Sequence, residues 1–230
     1  MKSWDFISQA LSEPFRINLV DFRTGRYIYE KRVALALAYA DPREYQYRLD
    51  EVVGMSNWNV EYRPLGEPIV TEYLDKEKNV RHKTSGAIIA RLSITNPDTG
   101  QTIVREEVGE SDNIGNSFYP TASAQAFKRA CAAFGLGRYL YNLPQRYYPT
   151  KYGENGELTF ANIDQIRQEM LMSSDGINPE TVRRAEERVL RMMYQAMRLS
   201  DFVMPEIGIT EMSYYDLVDY GRKLKEMLQQ

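Results

Sequence analysis

Cysteine and histidine are each represented once in the 230 residues, by Cys131 and His82. One cysteine excludes an intrachain disulfide. Because a structural zinc site needs about four Cys, His or acidic ligands in a cluster, this composition also argues strongly against such a site. His82 lies among Lys78, Arg81 and Lys83 and is interpreted as a surface residue rather than a ligand.

Motifs for nucleotide binding and nucleophilic catalysis are also missing. The sequence contains no Gly-x-x-x-x-Gly-Lys-Ser/Thr loop, no Gly-x-Gly-x-x-Gly after a strand and no Gly-x-Ser-x-Gly elbow. A metal-dependent nuclease would need converging carboxylates with a lysine, and Asp98 is followed by Glu106 and Glu107 but by no lysine one residue later. We therefore expect no enzyme, no metal and no cofactor, with a nuclease kept as a weak alternative.

Long apolar runs are absent. The most apolar run, 33–38, is the length of a strand, far short of the roughly 20 residues that cross a membrane. The first residues show no apolar signal core behind a basic start. We expect a cytoplasmic, nucleoid-associated protein without membrane contact.

The net charge is −3 and is unevenly distributed. Residues 1–150 hold 19 Lys or Arg and 18 Asp or Glu, whereas residues 151–230 hold 10 and 14. The chain as a whole is therefore not a basic coat for nucleic acid. A basic groove, if there is one, must come from local clustering in the first 150 residues.

The patterns of the first half predict an α+β fold. Trp4, Ile7 and Leu11 predict a short helix that ends before Pro14. A strand over 18–22, a turn over Arg23–Arg26 and an alternating strand over 33–39 predict a hairpin. Asp41, Pro42 and Glu44 open the clearest helix, which Gly54 ends.

Three further strands and a helix follow. Alternation predicts strands over 58–63, 87–94 and 102–108, joined as an antiparallel meander. A polar loop over Gly109–Pro120 leads to a helix with its apolar stripe at Ala124, Phe127, Cys131 and Phe134. We place a boundary near Tyr152, giving a core domain, 1–152, for DNA binding and oligomerisation, and an acidic helical region, 153–230.

Lys128 and Arg129 lie on the predicted helix among small and apolar residues. Small residues allow close approach, and the two cations offer one point charge and one planar fork to phosphate oxygens. The alternative is that both are solvated charges on a helix surface. Spacing alone leaves these two interpretations open.

Two blocks of sequence resemble the Rad52/Rad22 superfamily of single-strand annealing proteins, which includes bacterial and phage members such as the DdrA type. One block is Lys-Arg-Ala-x-x-x-Phe-Gly-Leu-Gly-x-x-Leu-Tyr, from 128 to 141. The other runs from Tyr39-Ala-Asp-Pro-Arg43 through Gly54 to Trp58. The resemblance covers about residues 15–145, and it also matches the order of elements.

The resemblance implies an oligomeric ring that holds single-stranded DNA by its backbone and anneals complementary strands without ATP. It assigns Lys128 and Arg129 to the DNA groove, with Arg23 and Tyr39 beside them and Arg43 as a further candidate. In the eukaryotic signature helix another arginine stands where this chain has Ala132. Arg138, or the basic segment 76–83 with Lys83, is expected to compensate.

Two other functions stay open besides annealing. An oligomeric adaptor or DNA-end-protecting protein without annealing activity fits the acidic composition, and in that case the pair at 128–129 would be dispensable. The acidic helical region is expected to dock on its own core, to regulate DNA access, or to recruit a partner such as a single-strand binding protein or a recombinase.

Overall fold

The computed structural model describes residues 3–74, 77–114, 118–171, 177, 179–200 and 202–229. The chain divides into two units that interleave along the sequence. The first unit consists of residues 1–13 and 41–138, and the second of residues 14–40 and 139–230. These units cut the chain elsewhere than at Tyr152, and the predicted domains 1–152 and 153–230 stay a prediction.

Two helices of the first unit form as the sequence predicts. Helix α1 spans Trp4–Ser12 and buries Ile7 and Leu11. Helix α2 spans Pro42–Val53, and its first turn is capped by the Asp41 carboxylate, which accepts a hydrogen bond from the Arg43 N–H. Gly54 follows with a φ of 90°, a backbone conformation that glycine adopts without a steric penalty.

The sheet of the first unit has four strands rather than the three predicted. They are β3 (Trp58–Pro64), β4 (Ile69–Leu74), β5 (Val80–Thr95) and β6 (Thr102–Ile114), and β3, β4 and β6 each pair with β5 in antiparallel orientation. Sequence analysis missed β4 because nearly all of its residues are exposed, so no alternation of apolar and polar residues marks it.

The loop predicted over Gly109–Pro120 is wrong for most of its length. Strand β6 continues to Ile114, and helix α3 spans Phe118–Ala133 with Pro120 in its first turn, where a missing N–H has no partner to lose. The residues at 115–117 lie outside the described ranges. Of the predicted stripe on α3, Phe127 and Cys131 are buried, whereas Ala124 and Phe134 are only partly buried.

The second unit contains an antiparallel sheet in the order β1-β2-β7-β8. The strands are β1 (Val20–Ile28), β2 (Val33–Ala40), β7 (Tyr147–Tyr152) and β8 (Leu158–Phe160). The predicted turn at Arg23–Arg26 is wrong, because these residues continue β1 and the chain reverses at 29–32. A Cβ on Gly25 would lie 2.9 Å from Leu37 Cδ1, so this glycine marks a bulge with close side-chain packing rather than a turn.

Three helices complete the second unit. They are α4 (Ile163–Leu171), α5 (Pro179–Ala196) and α6 (Tyr214–Met227). Helix α5 buries Ala185, Val189, Met193 and Ala196, which recur at helical spacing and form its apolar face. Among the described residues, no helix is both long enough and apolar enough to cross a membrane.

Candidate nucleic-acid interface

Helix α3 lies unusually close to strand β6. A Cβ built on Gly109 would stand 2.1 Å from the carbonyl oxygen of Ala122 and 2.4 Å from the nitrogen of Ala126, so only glycine fits there. Ala122, Ala126 and Ala130 follow one another at four-residue spacing and are completely buried. The small residues of this helix therefore serve its contact with the sheet and fix its position.

Side chains of α3 also hydrogen-bond to the backbone of β6. The Arg129 Nη1 donates to the Val108 carbonyl at 2.6 Å, and the Glu110 N–H donates to Gln125 Oε1 at 3.3 Å. Among the described residues β6 pairs with one strand only, β5, so its other side is a sheet edge with backbone groups to satisfy. Arg129 is thus held at a defined place on this edge.

This arrangement leaves the consecutive residues Lys128 and Arg129 accessible at the surface of α3. Arg129 is exposed and Lys128 partly exposed. An arginine whose Nη1 is fixed to a carbonyl keeps its remaining N–H donors in a known orientation, which suits a phosphate oxygen. The pair therefore places an oriented guanidinium next in sequence to a partly exposed ammonium group.

Arg138, another predicted DNA ligand, is occupied by a structural contact. Its Nε donates to the Ala132 carbonyl at 2.7 Å and its Nη2 to the Ala133 carbonyl at 2.9 Å. These are carbonyls of the last turn of α3, which have no partner within the helix. Arg138 closes the C-terminal end of α3, and its contact with DNA stays a prediction.

Sequence reasoning did not single out Arg105, which belongs to the same surface. It pairs with the buried Leu92 across β5 and β6, so it shares the face that α3 covers. Its guanidinium carbon lies 5.6 Å from the centre of the Phe134 ring, at the end of α3. Because side chains alternate along β6, Arg105 and Val104 lie on opposite faces of the sheet. This alternation was the signal in the sequence that could have assigned Arg105 to the surface. Glu107 lies on the same face and offsets part of this charge.

The glycines of the signature block have steric causes. Gly135 and Gly137 have φ values of 98° and 70°. A Cβ on Gly137 would lie 2.6 Å from the ring of Tyr45, which packs on Phe127 with the ring centres 6.4 Å apart. These residues end α3 and fix it against α2, so they position Lys128 and Arg129 without contacting a ligand.

Lys83 and Arg43 lie elsewhere in the first unit. Lys83 on β5 forms an ion pair with Asp112 on β6, with its Nζ 2.6 Å from the carboxylate. Hydrogen bonds donated by Lys83 and Ser85 hold the pKa of Asp112 below its usual value. Arg43 is exposed in the first turn of α2, and within the described ranges its guanidinium has no hydrogen-bond or ion-pair partner.

Arg23 and Tyr39 belong to the second unit. Asp21 is opposite Tyr39 and Arg23 is opposite Leu37 across β1 and β2, so these four side chains share one face of the hairpin. Arg23 is exposed and, within the described ranges, its guanidinium has no partner. The Tyr39 hydroxyl is partly buried and donates to the Asp21 carboxylate at 3.4 Å.

The opposite face of the hairpin packs closely because β2 presents alanines there. Ala34 and Ala40 are completely buried and Ala36 is nearly so. The large residues of β2 thus lie on the face that carries Arg23, where Leu37 remains 36% exposed. The alternation over 33–39 that predicted this strand therefore separates the large residues of β2 from its alanines.

Within the described residues, no group of three or more His, Cys, Asp and Glu side chains lies close enough together to hold a metal ion.

Comparison with known proteins identifies the family. Residues 4–157, well over half of the chain, match the Rad52/22 family double-strand break repair proteins. The chain is 28% identical over 142 residues to the single-stranded DNA-binding protein DdrA of Deinococcus radiodurans, covering 61% of this chain and 57% of that protein. It is 28% identical over 141 residues to DdrA of Deinococcus deserti, covering 61% and 59%.

The chain thus spans less than two thirds of the length of these two relatives. The family match includes both sequence blocks and every predicted site residue, from Arg23 to Arg138. The resemblance read from those blocks and the α+β class with a helical C-terminal region are confirmed. This chain belongs to the Rad52/22 family of double-strand break repair proteins.

Proposed function

We propose that this protein binds single-stranded DNA through the surface of α3 and promotes the pairing of complementary strands in repair and recombination. It does so as an oligomer, with neither ATP nor a metal ion. Two lines of support meet here: the family, whose relatives DdrA are named single-stranded DNA-binding proteins, and the geometry of α3.

The observation that carries the proposal is the anchoring of Arg129. Its bond to the Val108 carbonyl fixes the guanidinium beside Lys128 on a helix that Gly109 and the buried alanines hold against the sheet. A guanidinium held in this way loses little conformational entropy when it contacts a phosphate. Binding through phosphates releases counterions, so the affinity should fall steeply as salt rises.

Assembly into an oligomer is supported by exposed apolar side chains on β4 and next to it, within residues 65–74 and at 80. Leu65, Ile69, Val70, Leu74 and Val80 are each more than half exposed. Large apolar side chains that remain this exposed on a strand are typical of a surface that another protein covers. We propose that another copy of the chain covers it and that the copies line up their α3 surfaces as a ring.

Annealing follows from holding a strand by its backbone. A strand whose phosphates are bound and whose bases face outward has less internal pairing and loses less entropy when it meets its complement. Copies arranged side by side would present a long segment in this state. Variants that do not assemble should therefore anneal poorly even when they still bind DNA.

The test is the rate at which two complementary labelled oligonucleotides anneal without ATP or divalent metal. The wild type is compared with Lys128→Ala/Arg129→Ala. A matched control is Arg222→Ala/Lys223→Ala, because these residues are also consecutive and exposed on a helix but are paired with Asp219 at 2.6 and 3.0 Å. We expect acceleration by the wild type and the control and its loss in the α3 variant.

An adaptor or DNA-end-protecting protein is the second candidate. The net charge of −3 favours it. For either protein, purified protein fails to accelerate annealing at any salt concentration. For an adaptor that does not bind nucleic acid, the α3 variant also behaves as the wild type in repair. Acceleration that survives the loss of both cations would keep the annealing function and place the DNA elsewhere.

A further inference from the structure

A row of arginines runs along one exposed side of helix α5, beyond the residues that match the family. Arg184, Arg188 and Arg191 follow one another on α5 at spacings of four and three, which places them on one side of the helix. Arg198 lies in the turn that directly follows Ala196, the last residue of α5. All four are exposed. We call Arg188, Arg191 and Arg198, together with Tyr194, the α5 arginine face.

The opposite side of α5 is buried, so the arginine face has a fixed outward orientation. Val189 and Met193 are 1% and 7% exposed. Val189 and Met192 come within 3.3 Å of the position that a Cβ on Gly221 of α6 would take. A basic helix that lies on a membrane needs its apolar side free to enter the lipid, and here that side is occupied by protein.

The acidic residues of α5 are Glu180, Glu186 and Glu187, so the part of the helix after residue 187 carries positive side chains without negative ones. Glu180 pairs with Arg183 and Arg184 at 2.7 and 3.0 Å, and Glu187 pairs with Arg183. No Asp or Glu occurs from residue 188 to residue 200. Within the described ranges the Arg198 guanidinium has no partner, and Arg191 makes a bond of 3.4 Å to the Glu187 carbonyl.

An aromatic side chain completes this face. Tyr194 is 67% exposed and lies between Arg191 and Arg198 in sequence. Guanidinium groups beside an exposed ring are the combination that holds single-stranded nucleic acid, since the guanidinium groups bind phosphates and the ring stacks on a base. From Arg188 to Ala196, the end of α5, the helix rises by about 12 Å, and Arg198 lies in the turn beyond, so the face is long enough for consecutive phosphates.

We propose that the α5 arginine face is a second contact surface for single-stranded DNA, separate from α3. It binds the sugar-phosphate backbone through Arg188, Arg191 and Arg198 and stacks a base on Tyr194. This inference rests on the proposed function, because it assigns more of the same strand to this protein. The C-terminal region thus carries a local basic surface although its net charge is negative.

The test measures how the affinity of the full chain for a long thymidine oligonucleotide depends on salt. The variant is Arg188→Gln/Arg191→Gln/Arg198→Gln, since glutamine keeps a good helix propensity and removes the charge. The magnitude of the slope of log K against log salt should fall by about 2, at roughly 0.7 for each lost contact with a single strand. Tyr194→Ala should weaken binding and Tyr194→Phe should preserve it.

The control Arg222→Gln/Lys223→Gln changes neighbouring cations that are already paired with Asp219, and its slope should match that of the wild type. A wild-type slope and affinity in the triple variant overturns the inference while leaving the α3 proposal intact. If the triple variant binds DNA as the wild type does but no longer binds a polyglutamate probe, the α5 arginine face binds an acidic protein instead of DNA. That result also overturns the inference. A wild type that binds no single-stranded DNA overturns the proposed function and this inference together.

Discussion

The guanidinium of Arg167 on α4 lies 3.7 Å from the carboxylate of Asp21 on β1. Arg167 also donates to the Val20 carbonyl at 3.2 Å and pairs with Asp164 at 2.9 Å. Asp21 shares its face of the hairpin with Arg23. A residue beyond the family match thus offsets the negative charge that stands two residues from a predicted DNA ligand.

Replacing Arg167 should weaken DNA binding through this charge. In Arg167→Gln the negative charge of Asp21, which lies near Arg23, is no longer offset by the guanidinium of residue 167. Because this charge repels phosphates, we expect a several-fold loss of affinity for single-stranded DNA. Asp21→Asn should raise the affinity, and the double variant should regain the affinity that Arg167→Gln loses. Fluorescence anisotropy at low salt measures all three, because screening reduces such effects at high salt.

Asp164→Asn is the control, because it removes the other carboxylate partner of Arg167 and leaves Asp21 in place. A double variant that stays as weak as Arg167→Gln would contradict the electrostatic explanation and indicate a purely structural role. The Arg167→Gln variant should also lose about 1 kcal/mol of unfolding free energy with its bond to Val20.

Gly109→Ala should destabilise the first unit severely. The added methyl group meets backbone atoms of α3 at 2.1 and 2.4 Å, and neither can move without displacing the helix. We expect a loss of about 3 kcal/mol or more in the free energy of unfolding, measured by urea titration. Gly208→Ala is the matched control, since its Cβ would have no contact closer than 3.8 Å. Equal stability of the two variants would show that α3 does not lie this close to β6.

Arg129→Lys and Arg129→Ala should separate the charge of this residue from its geometry. Lysine keeps the charge but not the planar fork, so we expect intermediate DNA affinity for Arg129→Lys and a larger loss for Arg129→Ala. The salt dependence of binding should fall only in the alanine variant. Identical affinities for wild type and both variants would remove Arg129 from the interface.

The pair formed by Lys83 and Asp112 should contribute to stability only above acidic pH. Hydrogen bonds from Lys83 and Ser85 lower the pKa of the Asp112 carboxyl in the folded protein. The contribution is therefore complete above the unfolded value, about 4, and is lost as the pH falls through the lowered folded pKa. Lys83→Gln should raise the pKa of Asp112 in an NMR titration, whereas Lys225→Gln on α6 should leave it unchanged.

Cys131 should react with thiol reagents only after unfolding. Its side chain is completely buried on α3, and burial raises the pKa of the thiol well above its usual range, so little thiolate forms. Ellman's reagent at pH 8 should modify the native protein very slowly and the urea-unfolded protein at once. Rapid modification of the native protein would mean that the buried face of α3 opens readily.

Local patterns predicted the elements whose ends carry specific residues. The Asp41 cap, Pro42 and Gly54 bounded α2 correctly, and Gly135 ended α3, because these ends depend on neighbouring residues alone. The turn assigned to Arg23–Arg26 failed because the glycine there serves packing against Leu37, a contact across the hairpin that no local pattern reveals.

The candidate site was predicted by its residue types but not by its geometry. The sequence singled out Lys128, Arg129 and Arg138, yet it could not show that Arg138 closes the helix or that Arg129 is fastened to Val108. The contact between Arg129 and Val108 joins α3 to β6, whose close approach Gly109 allows, whereas the contacts of Arg138 depend on how the chain turns after α3. Lys83 was predicted as part of a basic segment that contacts DNA, and its partner Asp112 lies on a stretch that was predicted as a loop.

The bond between Arg129 and Val108 has a further consequence for how the protein behaves at high concentration. An uncovered strand edge is a template on which other chains can add strands and start aggregation. Arg129 and Gln125 cover part of this edge with side chains. An Arg129→Ala protein would therefore be more prone to precipitate, so colloidal stability and DNA recognition depend on the same guanidinium.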